Sequence, residues 1–170
     1  MKPNLFIVGM PKAGTSALYF FLKQHPEIFM SEDKEPNYFC ADLIEESDNF
    51  HKRKFEDFRY RNEKSYLKLF ENKDKFKIAG EASTQYLFSK KAAENIYNFN
   101  TKAKIIIIIR EPVSFLYSYH SQLLRNVREN ILDFKKALEF EPERKKLNKY
   151  PSNVRFPSQL HYTDWIDYKS

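Results

Sequence analysis

The N-terminal part of the chain has the hydrophobic pattern of a strand, a loop and a helix. Residues 5–8 form a continuous apolar run with β-branched members, which is typical of a buried strand. A loop that contains Gly9 and Gly14 follows, and residues 16–23 have the length and apolar content of a helix. Pro26 ends this helix, because the residue before a proline avoids the helical region.

The same alternation continues along the chain. Short apolar runs predict strands at 28–30 and 77–81. Between them, a loop is predicted at 34–39, and the charged and aromatic segment 49–75 is predicted to be irregular with a surface helix around 65–70. The other predicted elements are a helix over 89–98 with Ser89 as its N-cap, a charged surface excursion over 141–155, and a last helix that begins near Ser158.

The clearest strand prediction is 104–109. Its five consecutive isoleucines show no polar alternation, which predicts burial on both faces, as in the central strand of a parallel sheet. A helix follows from Pro112 to about Arg128, with the proline in its first turn. Strands that alternate with helices predict an α/β, three-layer fold with a central parallel sheet flanked by helices.

Composition narrows the class of protein. A chain of 170 residues suits a single domain, and 42% hydrophobic with 31% charged residues fits a globular protein. One cysteine excludes an intramolecular disulfide framework and a cysteine-based zinc site. The four histidines are scattered without paired spacing, so we expect no metal site.

Charge and hydropathy indicate the partners and the compartment. The net charge of +6 allows an anionic partner, but the lysines are spread along the chain, so we expect no nucleic-acid surface. No apolar run approaches the roughly 20 residues of a membrane span. The polar start at residues 1–4 leads directly into the first strand and leaves no room for a cleavable signal peptide, so we expect a cytoplasmic protein.

Residues 9–16 have the sequence of a phosphate-binding loop. The stretch Gly-x-x-x-x-Gly-Thr-Ser shares its glycine spacing and its strand-loop-helix context with the nucleotide-binding loop Gly-x-x-x-x-Gly-Lys-Ser/Thr. Such a loop directs backbone N–H groups toward one point at the positive end of a helix. Thr15 replaces the lysine that reaches the β- and γ-phosphates, and Lys12 lies within the loop, so we expect a phosphate chain shorter than a triphosphate.

A second candidate site follows the strand 104–109. Arg110 lies at its carboxyl end, where ligands bind in open α/β sheets, and Ser118 lies two helical turns further on. A guanidinium and a hydroxyl group there would suit a second phosphate. Considered alone, the two residues are explained as well by an arginine that caps strand carbonyls and a serine inside a helix.

Together these stretches resemble the sulfotransferases that use 3′-phosphoadenosine 5′-phosphosulfate (PAPS). Residues 11–18 look like the family's 5′-phosphosulfate loop, and residues 106–118, with Arg110, Pro112 and Ser118 in register, look like its 3′-phosphate motif. Residues 34–39, Lys-Glu-Pro-Asn-Tyr-Phe, are similar to the segment that carries the catalytic glutamate in the heparan-sulfate-type and bacterial branches. Residues 80–87, Gly-Glu-Ala-Ser-Thr-Gln-Tyr-Leu, resemble the element Gly-Glu-Lys/Ala-Ser/Thr-Pro-x-Tyr-Leu.

The resemblance implies a P-loop-like fold and the in-line transfer of a sulfuryl group from PAPS to a hydroxyl or amine of a carbohydrate or small-molecule acceptor, without a metal. The implied residues are Lys12, which stabilises the leaving phosphate; Ala13, Gly14, Thr15, Ser16 and Ala17, which bind the 5′-phosphosulfate; Arg110 and Ser118, which bind the 3′-phosphate; and Glu35, the general base. Without the resemblance, Glu35 is not distinguished from Glu32 or Asp33, and His120 is an alternative base.

The chain departs from the family pattern at two points. Ala82 stands where some members carry a lysine that assists at the acceptor side. Family domains usually continue beyond the equivalent of Ser170, so we expect the single domain over 1–170 to be short of a final strand and to leave apolar surface beside the sheet. A P-loop small-molecule kinase and a non-catalytic nucleotide-binding fragment stay open as alternatives, and the sequence identifies neither the acceptor nor the oligomeric state.

Overall fold

A computed structural model of the chain describes residues 2–71 and 75–167. Its four strands are β1 (Leu5–Gly9), β2 (Ile28–Met30), β3 (Ile78–Ala82) and β4 (Lys104–Ile108). They form an all-parallel sheet in the order β2-β3-β1-β4. Because the strands are parallel, their carboxyl ends lie at one edge of the sheet, which is the edge where ligands bind in α/β folds.

The chain divides into two compact units, Met1–Asp42 with Phe58–Ile109 and Leu43–Asp57 with Arg110–Ser170. The helices in chain order are α1 (Thr15–Lys23), α2 (Ala41–His51), α3 (Glu63–Leu67), α4 (Gln85–Phe88), α5 (Ala92–Phe99), α6 (Pro112–Arg125), α7 (Phe134–Glu139) and α8 (Glu141–Leu147). Short 3₁₀ segments cover Lys68–Phe70, Pro157–Leu160 and Asp164–Ile166. In the part of the chain that the structure describes, no helix is both long and apolar enough to cross a membrane.

The core of the first unit covers both faces of β1. Side chains alternate across a strand, so Leu5 and Ile7 pack with Tyr19 of α1, while Phe6 lies on the other face against Phe39, with ring centroids 5.7 Å apart. Helix α1 packs against β1, β2 and β3, and α4 packs against β1. The predicted α/β fold, with a parallel sheet flanked by helices, is confirmed.

The prediction that residues 104–109 form a central strand buried on both faces is wrong for the described residues. In that part of the chain β4 pairs with β1 and forms an edge of the sheet, while β1 takes the interior position. Ile106 and Ile108 pack against the core on the α1 side, but Ile105 and Ile107 are 44% and 59% exposed. An unbroken apolar run does not reveal which of its sides is covered.

Several boundaries differ from the sequence predictions. The predicted helix over 89–98 begins at Ala92, although the Ser89 hydroxyl does accept the Ala92 N–H at 3.0 Å. Helix α3 begins two residues earlier than predicted and buries Tyr66 rather than lying on the surface. The last predicted helix consists of two 3₁₀ segments, and residues 72–74 of the predicted irregular segment lie outside the described residues.

The segment 141–155 is not simply a surface excursion. It begins with α8, and the Arg144 guanidinium is buried, donating to the two carboxylate oxygens of Glu129 at 2.8 and 2.9 Å. A charged side chain is buried when it finds a partner, and a partner 15 residues away is not visible in a local charge pattern.

Candidate active site

The loop between β1 and α1 is shaped by two glycines with positive φ. Gly9 has φ 148°, and a Cβ atom there would overlap the carbonyl oxygen of Ile108 on β4, so glycine allows the two strands to approach. The N–H of Met10 donates to the same carbonyl at 2.9 Å. At the other end of the loop, Gly14 has φ 101°, and the space where its Cβ would be is open. The loop is therefore hydrogen-bonded to the sheet at Met10, and there is free space beside Gly14 at its other end.

The first turn of α1 is suited to an anion. The helix begins at Thr15, and no side chain caps it. The first N–H groups of a helix have no acceptor within the helix and lie at the positive end of its dipole. Thr15 is buried, whereas Ser16 and Ala17 are exposed. The N–H of Ala13, by contrast, closes the loop by donating to the Met10 carbonyl at 3.2 Å.

Three non-glycine residues with positive φ lie in the loops that follow β1 and β2. They are Lys12 (66°), Glu35 (59°) and Asn37 (54°). This conformation is costly for residues with a Cβ atom and persists where the surrounding structure holds it, often at functional sites. Both predicted catalytic residues, Lys12 with an exposed side chain and Glu35, therefore have strained backbones near the carboxyl edge of the sheet.

Every polar atom of Glu35 has a hydrogen-bond partner. Its N–H donates to the Ala82 carbonyl at 2.9 Å, and its own carbonyl accepts from Asn37 Nδ2 at 2.8 Å. Its Oε1 lies 2.6 Å from the Lys34 ammonium. Its Oε2 accepts from the N–H and the hydroxyl of Thr84, at 2.8 and 3.1 Å. The loop that carries Glu35 is thus held to the segment that follows β3.

A second carboxylate, Glu81, is fully buried behind this loop. It accepts hydrogen bonds from the hydroxyls of Tyr66 at 2.9 Å, Tyr86 at 2.5 Å and Ser83 at 2.7 Å. Its pKa is raised from 4.5 to about 7, chiefly by burial. The hydrogen bonds from Tyr86, Ser83 and Tyr66 oppose this shift, and the negative charge of Glu35 adds to it. Glu81 therefore changes charge near neutral pH.

Glu81 is connected to the Glu35 loop through a short chain of hydrogen bonds. The Ser83 hydroxyl donates to Glu81 and accepts the backbone N–H of Asn37 at 3.1 Å, and Asn37 in turn bonds the Glu35 carbonyl. The sequence analysis treated Glu81 only as part of a motif. A glutamate inside a predicted buried strand was the available signal, because a buried carboxyl group requires partners.

The structure distinguishes Glu35 from the two acidic residues that precede it. Glu32 is exposed. Asp33 binds the hydroxyl of Tyr60 and lies 3.1 Å from the guanidinium of Arg59. Of these three carboxylates, Glu35 is the one that is bonded to the carboxyl end of β3.

Arg110 and Ser118 belong to the second unit. Arg110 is exposed and follows β4 by two residues, and Ser118 is half-buried on α6. Between them, the Glu111 carboxylate caps α6 by accepting the N–H groups of Ser114 at 2.7 Å and Val113 at 2.9 Å. The hydrogen bond from Ser114, then that from Val113, holds the pKa of Glu111 below its ordinary value. The sequence analysis did not identify this cap.

His120, the alternative base, has a packing role. It is buried, its Nε2 lies 2.9 Å from the Ile131 carbonyl oxygen, and its ring lies against Phe134. No group of three or more His, Cys, Asp or Glu side chains in the described ranges 2–71 and 75–167 could hold a metal ion.

Comparison with known proteins identifies the family. A family model described as "Sulfotransferase family" matches residues 3–155. The chain belongs to the sulfotransferase family. The match includes the loop at 9–17 and the segment around Glu35, and it confirms the resemblance drawn from the sequence.

Individual relatives agree with this assignment. The sulfotransferase chain is 27% identical over 169 residues to heparan sulfate glucosamine 3-O-sulfotransferase 5 of Mus musculus, covering 98% of this chain and 44% of that protein. It is 30% identical over 127 residues to the human bifunctional heparan sulfate N-deacetylase/N-sulfotransferase 3, covering 69% of this chain and 13% of that protein. A crystal structure of a sulfotransferase from Alicyclobacillus acidocaldarius matches with a TM-score of 0.78 at 31% identity, covering 97% of this chain and 64% of that one. The chain thus spans less than half the length of the curated relatives it matches.

Proposed function

We propose that this chain transfers a sulfuryl group from PAPS to a hydroxyl or amine group of a carbohydrate acceptor. The observation that carries the proposal is that the family match includes both the loop at 9–17 and Glu35. These follow β1 and β2 at the carboxyl edge of one parallel sheet, in which β3 lies between the two strands. The relatives include a 3-O-sulfotransferase and an N-sulfotransferase of heparan sulfate, which supports a carbohydrate acceptor and leaves hydroxyl and amine groups as alternatives.

The donor side is assigned to the loop and to α1. PAPS, when bound, supplies the sulfuryl group on an activated 5′-phosphate. The N–H groups of residues 14–17 would hold that phosphate, because α1 has no side-chain cap and the space at Gly14 is open. The Lys12 ammonium would stabilise negative charge on the leaving oxygen. Arg110 and Ser118 would bind the 3′-phosphate, an assignment that rests on their sequence motif alone.

The acceptor side is assigned to Glu35. A general base must be oriented toward the proton that it removes, and the carboxylate of Glu35 is held by donors on both oxygens. Its side chain is 25% exposed, so an acceptor has access to it. Ala82 contributes only its backbone carbonyl here, because its side chain is packed in the core.

The test is a transfer assay with the purified chain, radiolabelled PAPS and two probe acceptors. N-desulfated heparin offers amines, and fully desulfated, N-acetylated heparin offers hydroxyls. We expect label in the polysaccharide and an equal amount of 3′-phosphoadenosine 5′-phosphate (PAP). Transfer of phosphate from ATP in the presence of Mg²⁺, without use of PAPS, would show a kinase instead. Tight PAP binding without any turnover would show a non-catalytic nucleotide-binding protein.

A further inference from the structure

We propose that Thr84 and Lys34 are positioning residues that hold the Glu35 carboxylate for proton transfer and leave one lone pair, on Oε1, to receive the proton. The inference rests on the proposed role of Glu35 as the general base. All three residues belong to the first unit, and neither Thr84 nor Lys34 was singled out by the sequence motifs as a functional residue.

The count of donors supports this assignment. An ionised carboxylate has about four lone-pair sites, two on each oxygen. Oε2 receives two donors, the N–H and the hydroxyl of Thr84, at 2.8 and 3.1 Å. Within residues 2–71 and 75–167, Oε1 receives one donor, the Lys34 ammonium, at 2.6 Å. One site on Oε1 is left, and the acceptor proton would go there. In the same step the acceptor oxygen or nitrogen would form its bond to sulfur, and the bond between sulfur and the 5′-phosphate oxygen of PAPS would break, with PAP as the leaving group.

The Thr84 hydroxyl lies near two possible acceptors, and the shorter distance favours Glu35 Oε2. The hydroxyl carries a single proton, and its oxygen lies 3.3 Å from Gln85 Oε1 and 3.1 Å from Glu35 Oε2. A charged carboxylate is a stronger acceptor than an amide oxygen. The N–H of Thr84 precedes the first turn of α4 and is therefore free to donate outside the helix.

The two Thr84 donors to Glu35 Oε2 distinguish this chain from the motif that residues 80–87 resemble. The element that residues 80–87 resemble has a proline at this place, and a proline has neither an N–H nor a hydroxyl. The φ of Thr84 is −68°, a value that proline adopts. Thr84→Pro therefore removes both donors to Oε2 without forcing a change in φ at residue 84.

The experiment compares variants that remove or keep each donor. Thr84→Pro removes both Thr84 donors, Thr84→Val removes only the hydroxyl, and Thr84→Ser keeps both. Lys34→Met removes the ammonium, and Lys34→Arg keeps a cation. Each is assayed for kcat and KM with radiolabelled PAPS and desulfated heparin, for PAP affinity and for Tm. Thr84→Pro is expected to lower kcat about 10²-fold and Lys34→Met about 10-fold, since small displacements of a reacting group have effects of this size.

The expected pattern is a fall in kcat with PAP affinity and Tm near those of the wild type, and near-normal kcat in Thr84→Ser and Lys34→Arg. A merely structural role would instead lower Tm and PAP affinity together with kcat, and that result would overturn the assignment. So would an unchanged kcat in both Thr84→Pro and Lys34→Met. If Thr84→Pro does not fold, the kcat values of Thr84→Val and Lys34→Met test the assignment instead.

A crystal structure of Thr84→Pro gives a readout that does not depend on activity. We expect the Glu35 carboxylate to leave its single orientation, and an unchanged orientation would contradict positioning by Thr84. If the carboxylate moves in this variant but the wild type transfers no sulfuryl group to either heparin probe, the proposed function fails while the hydrogen-bond assignment holds.

Discussion

The loop at 9–17 and the loop around Glu35 form the two sides of the candidate site in different ways. The first is made of backbone groups from nine consecutive residues, and two of them are glycines with positive φ. At Gly9 a Cβ atom would overlap the Ile108 carbonyl oxygen. The second is made of side chains, and the donors to the Glu35 carboxylate include Thr84, which is 49 residues away in the sequence. A site made of consecutive backbone groups can be recognised as a local sequence motif. A site made of side chains from distant parts of the chain forms only when the chain has folded.

The two sides also differ in their dependence on pH. Backbone N–H groups do not titrate, so the phosphate binding proposed for the loop would have no protonation step of its own in these groups. The Glu35 side contains a second carboxylate, Glu81, whose pKa burial raises to about 7. We therefore expect changes in pH near neutrality to act on the Glu35 side through Glu81 and the hydrogen bond that it accepts from Ser83.

The largest effect is expected for Glu35→Gln. The substitution keeps the shape of the side chain but removes the base, and loss of a general base typically costs about 10²–10⁴-fold in rate. PAP affinity should stay at the wild-type value. Glu32→Gln is the matched control, because Glu32 is exposed and precedes Glu35 by three residues. Normal turnover in Glu35→Gln would show that another group takes the proton.

Lys12→Ala tests the other side of the comparison. Removal of one preorganised group that stabilises the transition state costs about 10²–10³-fold, and we expect the loss mainly in kcat. Lys102→Ala, which removes an exposed lysine outside the loop, serves as the control. A change in KM for PAPS with kcat intact would mean that Lys12 contributes binding rather than catalysis.

The buried Glu81 gives a prediction about stability rather than rate. Its pKa is raised from 4.5 to about 7 in the folded protein, so the folded state binds more protons than the unfolded state between these values. Stability should therefore fall as pH rises through this window and level off above it. The total change is about 3 kcal/mol, at roughly 1.4 kcal/mol per unit of pKa.

Chemical denaturation of the wild type and Glu81→Gln from about pH 5 to about pH 8 would measure this change as a difference between two curves. The difference isolates Glu81 from the other groups that titrate in the same range. If the free energies of unfolding of the two proteins change with pH in parallel, Glu81 keeps one charge state over this pH range.

A smaller effect than that of Glu35→Gln or Lys12→Ala is predicted for Arg110→Ala. Loss of a charge-assisted hydrogen bond should weaken PAP binding by about 1.5–3 kcal/mol. Adenosine 5′-phosphate lacks the 3′-phosphate, so its affinity should hardly change. Calorimetric titration with both nucleotides checks this, and equal losses for the two would mean that Arg110 supports the fold and not the 3′-phosphate.

The features that could be predicted from the sequence are those that depend on local pattern. The strand β1, the glycine loop and α1 follow from apolar runs and glycine spacing within about 20 residues, and they were predicted with nearly correct bounds. The position of β4 at an edge of the sheet could not be predicted, because five isoleucines have the same pattern whether or not a neighbour covers them. The bonds from Thr84 to Glu35, from Tyr66 to Glu81 and from Arg144 to Glu129 were also missed, since each joins residues 15 or more positions apart in the sequence.

The most direct test of the central claim is a single-turnover experiment with enzyme in excess over radiolabelled PAPS and with desulfated heparin as the acceptor. We predict that the wild type forms one PAP for each sulfuryl group placed on the polysaccharide, and that both Lys12→Ala and Glu35→Gln slow this step, the latter with unchanged PAP affinity. Release of free sulfate at the same rate in the wild type and both variants, with no label on the polysaccharide, would contradict the account.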